Sequence, residues 1–156
     1  KLKTSVLFAA GAAGGALIGG ANDPVAEKIH EYAMNLGIAF QIQDDILDYS
    51  GTDAVGKPLG ADILEQKITM PLLGALAGAD PAVAAEVRKK LRDIPEHPGY
   101  RDEILTFVRE NRGISHAVAS LDGYVSKAVD ALSVLPDSKA KDYLVELAYF
   151  TARRSM

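Results

Sequence analysis

No cysteine and no tryptophan occur among the 156 residues, and histidine appears only three times. Without cysteine there can be no disulfide, no thiolate metal site and no cysteine nucleophile, which fits a cytoplasmic setting. His30, His97 and His116 lie far apart and match no ligand spacing, so they read as surface or core histidines rather than a zinc centre. Positive charge is not in excess either. A formal net charge of −4 argues against a nucleic-acid surface. A polyanionic ligand would therefore be held by individually placed lysines or through a metal ion. Strand-like alternation, internal repeats and low-complexity stretches are missing, and no apolar run is long enough to span a bilayer.

What is present is a chain in which 48% of residues are hydrophobic, enough for one domain with a substantial core. Aromatics are few, and Ala, Gly and Leu dominate, which favours closely packed helices. A first helix is expected from about Lys3 to Ala21. Its basic start and apolar run also have the layout of a signal peptide, whereas Gly11, Gly14, Gly15, Gly19 and Gly20 suit tight helix packing. Asn22-Asp23-Pro24 supplies a cap and an early proline for a second, long helix that reaches about Tyr49. Residues 51–61 read as a loop. A third helix is expected from Asp62 to Leu76, kinked at Pro71. Further helices are expected over about 81–92, 100–111, 114–135 and from Pro136 to the end. The fold class is all-α, with short connections.

The chemistry concentrates at the end of the second helix, in Phe40-Gln41-Ile42-Gln43-Asp44-Asp45-Ile46-Leu47-Asp48. At about 100° per residue, Gln41, Asp44, Asp45 and Asp48 fall within an arc of roughly 100°. Carboxylates at a helix C-terminus oppose the helix dipole and repel one another. A bound divalent cation would relieve both penalties. Gly37 and Met34 share this face, which predicts an apolar groove leading to the acidic end. Such a triplet alone also reads as a solvated helix terminus.

Two downstream lysines favour the ligand reading. Lys57 lies in Gly56-Lys57-Pro58-Leu59-Gly60, and Lys67 stands just before Pro71. Glycines allow a close backbone approach to phosphate, and lysine supplies a point charge. Carboxylates with lysines point to a Mg²⁺–diphosphate site.

Taken with Lys3-Thr4, Asp62, Thr69, Asn111-Arg112-Gly113-Ile114 and Leu147-Ala148-Tyr149-Phe150 followed by Arg153-Arg154, these segments resemble the trans-isoprenyl (polyprenyl) diphosphate synthase family. The resemblance implies the C-terminal half of an isoprenoid-synthase (class I terpenoid synthase) helical bundle. It favours a core helix over a signal peptide at the chain start. It also implies condensation of isopentenyl diphosphate with an allylic prenyl diphosphate, with Mg²⁺ as cofactor.

Asp44-Asp45-x-x-Asp48 looks like the family's second aspartate-rich motif; the first is not among these residues, so the chain alone is expected to be inactive. By resemblance, Asp44 would bind Mg²⁺, supported by Asp45 and Asp48, and Asp62 would hold a metal-bound water. Lys3, Thr4, Gln41, Lys57 and Lys67 would contact the allylic diphosphate. Phe40 would line the pocket, and Arg154 or Arg153 would lie near isopentenyl diphosphate. Asp44, Lys57 and Lys67 are the catalytic candidates. A homodimer through the full-length enzyme is also implied, with apolar surface exposed on the second and third helices of this half. A non-catalytic diphosphate-binding subunit, a terpene cyclase and an unrelated helical bundle are the alternatives.

Overall fold

The computed structural model describes residues 2–50 and 59–154, and within them every regular element is helical. The helices are α1 (Leu2–Ile18), α2 (Asp23–Ser50), α3 (Ala61–Leu64), α4 (Met70–Gly78), α5 (Pro81–Arg92), α6 (Tyr100–Glu110), α7 (Gly113–Ala131) and α8 (Lys139–Arg153). A 3₁₀ turn over Leu132–Val134 follows α7. No helix among the described residues is long and apolar enough to cross a membrane. The described residues form two compact units: those up to Gln43 with Ser120–Arg154, and Asp44–Ala119.

In the first unit, Asn22 Oδ1 accepts from the Val25 N–H at 3.1 Å and starts α2. Gly20, at φ +89°, makes the turn before it. Helices α1 and α2 meet at Gly37, where an added Cβ would stand 2.6 Å from Ser5 Cα. The groove expected along the Gly37 face is therefore filled by α1 at this point. The glycines expected to serve close packing do not: Cβ atoms at Gly11, Gly14 and Gly15 would meet nothing within 4 Å. Helix α1 is apolar on all sides and buries Ser5 and Ala9, while Leu7 is 72% and Ile18 91% exposed. Open apolar surface also lies on α8, where Tyr143 is 66% and Phe150 65% exposed, and on the stretch expected as the third helix, at Leu64, Ile68 and Leu73; none of the large exposed hydrophobics is on α2, contrary to expectation. The Tyr32 hydroxyl donates to the Leu144 carbonyl at 2.8 Å and ties α2 to α8.

The second unit closes on Tyr49, Ile63, Leu72, Leu76, Leu91, Ile104 and Val108. Here the expected helix over Asp62–Leu76 is two helices. The chain breaks at residues 65–69, with Gln66 at φ +56°, and Pro71 lies in the first turn of α4 rather than at a mid-helix kink. A proline's missing N–H costs nothing in a first turn, where that donor has no helical partner. Asp80 caps α5, accepting from the Ala82 N–H at 2.8 Å. Helices α4 and α7 approach closely: Cβ atoms at Gly74 and Gly113 would stand 2.5 Å from His116 Cδ2 and 2.3 Å from the Pro71 carbonyl oxygen. His116 thus packs on a glycine, in keeping with its structural reading.

Candidate functional site

In the second unit, the last turns of α2 carry Asp44, Asp45 and Asp48 together with Tyr49. The three carboxylates do not share one environment. Asp44 and Asp48 are half-buried, whereas Asp45 is only 4% exposed. Asp45 Oδ2 accepts from the Met70 N–H at 3.0 Å. Met70 is the first residue of α4, and Thr69 at the N-cap position gives α4 no side-chain cap. Instead the buried Thr69 hydroxyl donates to the Tyr49 hydroxyl oxygen at 3.0 Å. Asp45 therefore caps α4 from another helix.

Asp48 makes a parallel arrangement with α3. Its Oδ1 accepts from the Ala61 N–H and its Oδ2 from the Asp62 N–H, each at 3.1 Å. The Gly60 N–H donates to the Asp48 carbonyl at 2.8 Å, and Gly60 makes this turn at φ +74°. Burial pushes the Asp48 carboxyl above its usual range. The Asp62 and Ala61 N–H groups oppose that shift, and the nearby Asp62 and Asp45 charges add to it. The repulsion expected at the acidic helix end is thus partly met by backbone donors at the starts of α3 and α4.

Lys67 stands in the segment between α3 and α4, not on a helix as expected. Its Nζ pairs with Asp62 at 3.0 Å and with Glu65, and its N–H donates to the Asp62 carbonyl at 2.9 Å. The Glu65 and Asp62 carboxylates push its pKa up, so the ammonium stays charged. It is also about half exposed and within reach of solvent anions. The structure therefore brings Asp48, Asp62 and Lys67 into one bonded sequence, with Asp45 holding the Met70 N–H three residues beyond Lys67. Lys57 lies outside the described residues. Among those described, no group of three or more His, Asp or Glu is arranged to hold one ion.

In the first unit, Lys3 is exposed on α1, and Thr4 and Gln41 are half-buried. The Phe40 ring receives the Arg154 guanidinium at 3.8 Å and the Phe8 ring edge-on at 5.9 Å. Arg154 Nη2 also donates to the Phe40 carbonyl at 3.2 Å, and Gln43 Nε2 donates to the Arg154 carbonyl at 2.8 Å. Arg154 and Phe40, which the sequence assigned to separate roles, are direct partners here.

The Tyr49–Thr69 bond and the two cross-helix caps were not anticipated. The signal available for them was Thr69-Met70-Pro71, which has the residue preferences of a helix start rather than a helix interior.

Comparison with known proteins identifies the family and the fold. Residues 1–108 match the family described as Polyprenyl synthetase. The chain is 36% identical over 157 residues to octaprenyl diphosphate synthase of Haemophilus influenzae, covering 98% of this chain and 46% of that protein. It is 33% identical over 153 residues to heptaprenyl diphosphate synthase component 2 of Geobacillus stearothermophilus, covering 97% and 47%. The chain spans about half the length of the curated relatives it matches. The crystal structure of a polyprenyl synthase from Caulobacter crescentus, complexed with calcium and isoprenyl diphosphate, superposes with a TM-score of 0.82 at 33% identity, over 95% of this chain and 45% of that one. The all-α bundle matches the isoprenoid-synthase fold, and with two-thirds of its sequence matched as well, the chain belongs to the polyprenyl synthetase family.

Proposed function

We propose that this chain is part of a Mg²⁺-dependent trans-prenyltransferase that condenses isopentenyl diphosphate with an allylic prenyl diphosphate to make polyprenyl diphosphates. The observation that carries the reading is the acidic end of α2 tied through Asp62 to the cationic Lys67. Its similarity to an octaprenyl diphosphate synthase, and to a synthase crystallised with a divalent cation and isoprenyl diphosphate, supports it.

The donor set fits Mg²⁺. That ion usually takes one or two carboxylates and completes its shell with water and phosphate oxygens, so a closed protein cage is not required. Asp44 is the carboxylate assigned as ligand, with Asp45 and Asp48 beside it in the motif. When bound, Mg²⁺ would supply positive charge to the diphosphate as the allylic C–O bond ionises. Lys67 and Lys57 add ammonium charge to the same leaving group, and Lys3, Thr4 and Gln41 help bind it. Phe40 lines the apolar pocket that keeps water from a carbocation. Arg154 binds isopentenyl diphosphate. No protein nucleophile is needed, in keeping with a chain without cysteine. The chain supplies the C-terminal half of the synthetase domain, with the second aspartate-rich motif. A homodimer of the full-length enzyme and a cytoplasmic location belong to the same proposal.

A second reading is a non-catalytic diphosphate-binding subunit. It is favoured by one relative being a numbered component of a heptaprenyl diphosphate synthase. Incorporation of labelled isopentenyl diphosphate separates the two. The chain is assayed alone and with a polypeptide carrying a first aspartate-rich motif. Product only in the combination, falling about 100-fold or more with Asp44→Asn, is the expected result. Product unchanged by Asp44→Asn or by chelation of Mg²⁺ would overturn the enzyme reading. Diphosphate binding without turnover in any combination would favour the subunit.

A further inference from the structure

Two of the three aspartates at the end of α2 are committed to backbone donors. Asp45 lies almost wholly buried and holds the Met70 N–H. Asp48 spends one oxygen on Ala61 and the other on Asp62. Those donors bracket residues 61–70, and Lys67 lies between them. The bracket is reinforced at both ends, by the Gly60 N–H on the Asp48 carbonyl and by the Thr69–Tyr49 hydroxyl bond. Inside it, the Asp62 carboxylate receives the Lys67 ammonium and the Asp62 carbonyl receives the Lys67 N–H. The path from Asp48 to the Lys67 charge is thus Asp48, the Asp62 backbone and the Asp62 carboxylate.

We propose that Asp45 and Asp48 are positioning residues: their carboxylates fasten both ends of the 61–70 segment to the end of α2 and thereby fix where the Lys67 ammonium stands. This rests on the reading of Lys67 as a diphosphate contact. It adds that two members of the acidic motif act on the anion through Lys67. A carboxylate suits the task because each oxygen of Asp48 serves one N–H, and charge-assisted acceptors bind backbone donors more strongly than neutral ones. An amide at Asp48 can accept with only one oxygen and turns an NH₂ donor toward the other N–H.

Two measurements on the full 156-residue chain test the proposal. The first is amide hydrogen exchange. Asp45→Ala should lose protection at Met70 while Asp45→Asn, which keeps an acceptor oxygen, retains it. Asp48→Ala should lose protection at Ala61 and Asp62, and Asp48→Asn at one of the two. The second is affinity for inorganic pyrophosphate in the presence of Mg²⁺, for Lys67→Ala, Asp48→Ala and the double variant. Each single change should weaken binding by about tenfold. The double should be no weaker than the weaker single, because Asp48 acts through Lys67. Losses that multiply, or amides whose protection is unchanged, would overturn the positioning role. If Lys67→Ala leaves pyrophosphate affinity unchanged while Asp48→Ala lowers it, the route through Lys67 is refuted. If neither change nor Asp44→Asn alters affinity, the diphosphate reading itself fails. The amide pattern is then the part of the proposal that survives or falls alone.

Discussion

Replacing Gly37 by alanine should destabilise the chain, although the same replacement at the open α1 positions Gly11 and Gly15 should stabilise it. Gly37 lies in the interior of α2, where alanine is favoured over glycine by about 1 kcal/mol. Against this stands the contact with α1. The new Cβ would lie 2.6 Å from Ser5 Cα and 3.1 Å from both Ser5 Cβ and Oγ. The nearest atom is backbone, so no side-chain rotation removes the clash. Helix α1 must withdraw by several tenths of an ångström to about 1 Å, and gaps of that size forfeit a quarter to a half of each pairwise dispersion contact. Overpacking of this kind costs about 1–3 kcal/mol, which leaves a net loss of about 1 kcal/mol.

Gly11 and Gly15 serve as internal controls, because a Cβ there meets nothing within 4 Å. Gly11→Ala and Gly15→Ala should each gain up to about 1 kcal/mol. Urea unfolding followed by far-UV circular dichroism reads all three, with the sign of the midpoint shift as the result. Ser5→Gly should not rescue Gly37→Ala, since the closest contact is with Cα. If Gly37→Ala stabilises as much as Gly11→Ala, or if Ser5→Gly restores it, the α1–α2 approach inferred here is wrong.

Ser5→Ala should raise stability by about 1 kcal/mol in the same assay, because the buried Ser5 Oγ has no hydrogen-bond partner among the described residues. The Thr69–Tyr49 pair should show a coupling energy of about 1 kcal/mol in a double-mutant cycle of Thr69→Val and Tyr49→Phe, with either single change costing more than its share because it strands a buried hydroxyl. Additive losses would deny the bond. Burial pushes the Tyr32 phenol up to about 12. Its neutral form is the donor to Leu144, so the stability it contributes is full below about pH 10, the unfolded value, and is lost as pH rises through about 12. The alkaline fall in unfolding midpoint should be shallower in Tyr32→Phe, and an unchanged slope would refute the assignment.

Much of this protein follows from its sequence alone. Helical signals recur from end to end with no strand pattern, and local rules located the starts of α2 and α5, and that of α8 to within three residues, because Asn22, Asp80 and Ser138 satisfy donors two or three residues away. The acidic motif also stood out in the sequence, since carboxylates at a helix C-terminus contradict local electrostatics and so call for an external partner. What the tertiary structure decided is which partner each group meets. Pro71 obeys the helix-start rule rather than the kink rule because Asp45, 25 residues before Met70, supplies the acceptor that α4 lacks at its N-cap. Gly37 rather than the glycines of α1 carries the close approach because a crossing point depends on how two helices meet, and their separate compositions do not encode it. The acidic motif reads as three equivalent carboxylates in one dimension. Folding separates them by burial and by bonds to α3 and α4, because hydrogen-bond donors distant in sequence reach two of them through the packing of the second unit.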